Sequence, residues 1–120
     1  RRWLIMATIF NNVDRVAGDP LSSVLVTIVL LWDTTLSPIA KIEAEDTIVR
    51  GTYGTTTDLD GHWEVDLVPN DEITPADSVY KITERLSTSN ESVTYYVSVP
   101  NSATPTSWIG DILVEAPSWI

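Results

Sequence analysis

From Leu59 to Leu67 the chain reads as a tight turn followed by strict alternation, and this constrains the fold more than any other stretch. Asp60-Gly61 is a hairpin-turn pair, because glycine takes the positive φ of a type I′ turn without steric cost. After it Trp63, Val65 and Leu67 point to one side and His62, Glu64 and Asp66 to the other. Period two with one apolar side describes a half-buried antiparallel strand. Asp60, Gly61 and Trp63 are therefore the turn and core residues that define this part of the fold.

The rest of the chain repeats the theme. Short β-branched runs are separated by Pro, Gly, Asn, Asp and Ser at strand-like spacing. Strands are predicted over Trp3–Phe10, Ser23–Trp32, Ala40–Val49, Val79–Leu86, Val93–Val99 and Trp108–Val114, with loops at Asn11–Ser23 and Pro100–Ser107. The near-continuous hydrophobicity of Ser23–Trp32 predicts burial on both faces or a place at the sheet centre. No window of 12 residues holds apolar positions at helical spacing without Pro, Gly or β-branched clusters. The expectation is an all-β antiparallel sandwich of about seven to eight strands, immunoglobulin-like or transthyretin-like. Residues 1–10 form an N-terminal arm or first strand, 11–117 the single sandwich domain, and 118–120 a C-terminal tail.

Composition narrows the function. The chain has 17 acidic against 7 basic residues, a net charge of −10, which argues against a partner held through nucleic-acid phosphates. It has no Cys and one His, so thiolate and multi-His metal sites are excluded. The longest apolar stretch, Val24–Trp32, has nine residues, where a membrane span needs about 20. Arg1-Arg2 before an apolar run resembles the start of a signal peptide, but Asn11-Asn12 ends the run and no small-residue cleavage pattern follows closely.

Catalytic signals are thin. Seven acidic residues and no Lys or Arg lie between Arg50 and Lys81, including Glu64 and Asp66. They suit a solvated face and turns better than a glycosidase pair. Asp58-Leu59-Asp60-Gly61 matches a fragment of a calcium loop and lacks its remaining ligands. His62 has no G-x-S-x-G partner, and Asn90-Glu91-Ser92 is a formal glycosylation triplet at a polar loop tip. The expectation is a protein without catalytic residues, cofactor or metal. Exposed aromatics for stacking on a sugar would come from Tyr53, Tyr96, Trp108 and Trp119. Trp3, Leu4, Ile5, Phe10, Trp108, Trp119 and Ile120 are the candidate partner-interface residues, since apolar side chains near chain ends lack a core of their own.

The order of elements from Thr57 to Pro117 resembles a known pattern. The Leu59-Asp60-Gly61 turn and its strand come first, then the Pro69-Asn70-Asp71 loop. A Tyr-containing strand from Tyr80 to Leu86, Tyr95–Pro100, and an acidic Gly110–Pro117 segment follow. This resembles the small β-sandwich domain of minor tail and fibre-associated virion proteins of tailed phages, over about half of the chain. The resemblance implies a non-enzymatic structural protein of the virion, at the tail tip or a fibre attachment, forming homo-oligomers and meeting other virion proteins. Capsid decoration and a carbohydrate- or cell-surface-binding module reading host glycans are the alternatives. No catalytic residue comes with the family.

Overall fold

The alternation after Gly61 is realised as a strand whose apolar side closes the core. The computed structural model describes residues 6–86, 89–101 and 106–120. Among these are ten strands: β1 (Ala7–Asn12), β2 (Leu25–Leu31), β3 (Ala40–Ile42), β4 (Thr47–Val49), β5 (Thr52–Thr56), β6 (His62–Leu67), β7 (Val79–Arg85), β8 (Ser92–Val97), β9 (Thr106–Trp108) and β10 (Leu113–Val114). The helical pieces among them are single 3-10 turns at Glu43–Glu45, Asn70–Glu72 and Ile109–Asp111.

The strands form a five-stranded antiparallel sheet ordered β10-β8-β7-β2-β5, a three-stranded sheet ordered β6-β1-β9, and the small hairpin β3-β4. Ile9, Trp63, Val65 and Leu67 of the three-stranded sheet meet Val26, Ile28, Tyr80, Ile82 and Val97 of the other in one buried cluster. The chain is thus an all-β sandwich, and the period-two pattern explains why: each strand offers one apolar side and the two sheets bury them together. β5 stays beside β2 in the five-stranded sheet, at its edge.

Several expectations are corrected. Trp3, Leu4 and Ile5 lie outside the described residues, and β1 runs on through Asn11 and Asn12, which pair with Trp63 and His62. β2 is an interior strand between β5 and β7, one in from the edge rather than at the centre, and Leu25 and Thr27 on its outer side are exposed. Ala40–Val49 is a hairpin, reversed at Glu43–Asp46 with Asp46 left-handed at φ 50°. Thr52–Thr56 forms an edge strand that polar composition concealed. Trp108–Val114 is two strands: β9 runs parallel to β1, and after the Ile109 turn β10 pairs with β8.

The Asp60-Gly61 turn also differs in kind. Gly61 N–H donates to Asp58 O at 3.0 Å and Gly61 has φ +75°, while Asp60 is not among the positive-φ residues. That is a four-residue turn from Asp58 with glycine last, not type I′. It carries the chain from β5 in one sheet to β6 in the other. The Asp58 carboxylate closes it, accepting from Asp60 N–H at 2.8 Å and His62 N–H at 3.1 Å.

These backbone bonds, that from His62 first, hold the Asp58 carboxyl below its usual range. A depressed carboxyl stabilises the fold above its unfolded value, about 3.9, and this contribution is lost as pH falls through the folded value. Asp58→Asn keeps an acceptor oxygen and removes the titration. The variant should melt close to the parent at pH 7 and lose less than the parent between pH 4 and 2. Parallel Tm curves over that range would show that the turn does not depend on the charge.

Asn70 ties the far end. Its Oδ1 accepts from Val99 N–H at 2.7 Å, its Nδ2 donates to Ser78 Oγ at 3.0 Å, and its own N–H donates to Val99 O at 2.8 Å. The side chain is buried, so Asn70→Ala leaves Val99 N–H and Ser78 without partners, at a cost of about 1–3 kcal/mol. Urea unfolding measures this, and a change under about 0.5 kcal/mol would mean that water replaces the amide.

Candidate functional site

The outer face of the three-stranded sheet brings together the interface candidates Phe10 and Trp108. They are register partners across the parallel β1·β9 pair, and Phe10 opposes Glu64 on its other side. Alternation forces this: Ala7 and Ile9 point into the core, so Thr8, Phe10 and Asn12 point out. The Phe10 ring lies 5.8 Å from the His62 ring, centroid to centroid. His62 Nδ1 meets Asn12 Oδ1 at 2.8 Å and its Nε2 meets Glu64 Oε1 at 2.9 Å. Thr8 Oγ1 donates to Asp66 Oδ1 at 2.5 Å. This face therefore carries rings, hydroxyls and two carboxylates, with no Lys or Arg on its strands.

Trp108 is 47% exposed. Its indole N–H donates to Asn11 Oδ1 at 3.1 Å, and its ring covers Gly110, where a Cβ would come within 2.4 Å of it. One side of the indole is seated and the other is free. Trp119 is half-buried and Ile120 exposed, after β10 and the turn that Ile120 N–H closes on Pro117 O.

Beneath the face lies a buried polar network. Glu84 Oε2 accepts from Trp63 Nε1 at 2.7 Å and from Asn11 Nδ2 at 2.9 Å, linking β7 to β6 and β1 across the sandwich. The Tyr95 hydroxyl is buried beside this carboxylate and makes no well-formed hydrogen bond among the described residues. Burial, and after it the Glu84 charge, pushes its ionisation above the usual tyrosine range. Within the predicted strand Val79–Leu86, Glu84 falls in step with Tyr80 and Ile82, and alternation alone does not say which side faces the core. The cue was a carboxylate in step with two large apolar residues.

Other candidates fall apart in space or are occupied locally. Asp58 spends its carboxylate on its own turn, and Glu64 and Asp66 bond His62 and Thr8 on an open sheet surface. No group of three or more His, Asp or Glu among the described residues is placed to hold a metal ion. Tyr53, on edge strand β5, lines a cleft of about 240 Å³ with Met6, Leu30 and Leu67, between the sheet edges. Tyr96 is paired with Lys81 and points away from the core on the five-stranded sheet, whereas Trp108 belongs to the outer face of the three-stranded one. Tyr53, Tyr96 and Trp108 thus do not share one platform. No family model matches the chain, and no curated protein matches it.

Proposed function

We propose that this protein is a non-enzymatic structural component of a tailed-phage virion, a minor tail, tail-tip or fibre-attachment module that assembles with copies of itself and with other virion proteins. The observation that carries the assembly part of this reading is the placement of Phe10 and Trp108 side by side on one open sheet face. A half-seated tryptophan beside a ring pair is the composition of a protein contact. The phage assignment is supported by the resemblance over Thr57–Pro117, which spans β6 to β10.

Light scattering at two concentrations tests it, on the full chain and on chains lacking residues 1–5 or 117–120. The first deletion stops before Ala7, which is buried opposite Leu67, so the sandwich remains intact. An assembly heavier than the single chain that dissociates on either deletion is the expected result. A chain of 13.3 kDa at every concentration, unchanged by truncation, overturns assembly through the termini.

A further inference from the structure

The two outer faces of the sandwich carry opposite charge. On the three-stranded sheet the outward positions include Glu64 and Asp66 and no Lys or Arg. On the five-stranded sheet, Lys81 and Arg85 point outward with Thr83 between them, because Tyr80, Ile82 and Glu84 point in. Register sets Val29 and Tyr96 on either side of Lys81, and Leu25 and Ser92 on either side of Arg85. No Asp or Glu occupies an outward position on β2, β5, β7, β8 or β10. Neither Lys81 nor Arg85 makes an ion pair among the described residues. In a chain of net charge −10, a sheet face bearing only cations is a marked asymmetry.

We infer that copies of this chain stack head to tail, the acidic face of one three-stranded sheet against the cationic face of the next copy's five-stranded sheet. This rests on the self-assembly in the function proposed above and specifies its geometry. Both faces add apolar surface, Phe10 and Trp108 on one and Leu25, Val29 and Tyr96 on the other. Charge selects the pairing. Joining like faces in a two-fold dimer would set carboxylates against carboxylates or cations against cations, which complementarity disfavours. A contact between different faces is heterologous, so it propagates unless its rotation closes a ring.

The test is charge exchange at fixed ionic strength, since the net charge of the chain itself opposes association. One variant carries Lys81→Glu with Arg85→Glu, the other Glu64→Lys with Asp66→Lys. All four sites are outside the core, and circular dichroism and Tm confirm folding. The full chain should rise in mass with concentration past the dimer. Each variant alone should stay at single-chain mass, and an equimolar mixture should regain the mass of the parent, because each then offers the face the other lacks. A parent that stops at the dimer, variants that keep the parent's mass, or a mixture that stays monomeric would each overturn the stacking. If truncation of residues 1–5 dissolves the assembly while charge exchange does not, the stacking fails and assembly through the termini stands. The reverse pattern retains the stacking and removes the role of the termini.

Discussion

Trp63→Ala should destabilise the domain by about 3–5 kcal/mol, the range for emptying a large aromatic from a core. Trp63 is 2% exposed on the inner side of β6, and it belongs to the buried cluster that joins the two sheets. The substitution also removes the indole N–H that meets Glu84 Oε2 at 2.7 Å. Glu84 would then keep Asn11 as its side-chain donor, inside an apolar layer where an under-bonded carboxylate is costly. A domain of this size has about 5–15 kcal/mol in total, so the fall in Tm should reach about 10–20 °C. Thermal melting measures it, and a loss below about 1 kcal/mol would place the ring at the surface. Trp63→Phe separates the two contributions, since it keeps most of the volume and removes the donor. Combined with Glu84→Leu it completes a double-mutant cycle whose coupling energy belongs to the hydrogen bond.

The particular strands show what could be read from the sequence and what could not. β6, β7 and β8 were legible because each alternates against a strongly apolar side. β5 was not, because Thr-Tyr-Gly-Thr-Thr has no apolar side to display; it exists because the backbone of β2 is satisfied by pairing with it. The division of Trp108–Val114 between two sheets was hidden for a related reason. Local propensity favours extension throughout, and only the burial of Ile109 in a turn makes the chain change sheets. The candidate site was half legible. Phe10 and Trp108 could each be singled out, but their adjacency comes from a parallel pairing over nearly a hundred residues of separation. The opposite charge of the two faces likewise needs the strand order, because alternation says which residues share a side and not which sheet lies across the core.

Gly61→Val should cost about 2–5 kcal/mol, combining a branched residue held at positive φ with a steric collision. At φ +75° an L residue is already strained, yet φ is the smaller part here. A Cβ on Gly61 would lie 2.4 Å from Val13 O and 3.2 Å from Leu21 N, both backbone atoms of the loop between β1 and β2. That loop is fastened at the same place, with Val13 N–H donating to Gly61 O and Leu21 N–H to Val13 O, each at 2.8 Å. A side chain at 61 must therefore push apart the bonds that join this loop to the turn between the sheets. Gly18 supplies the control. It has φ +91° with nothing within 4 Å of a Cβ, so Gly18→Ala should incur only the backbone penalty, about 1 kcal/mol. Gly61→Asn sharpens the comparison, because asparagine tolerates the left-handed region and still brings a Cβ to Val13 O. If Gly61→Asn melts like Gly18→Ala, the loop yields freely and the turn serves only to reverse the chain. If it melts well below, close packing of the glycine against Val13 holds the loop to the start of β6, beside the His62 and Asn12 pair that borders the aromatic face.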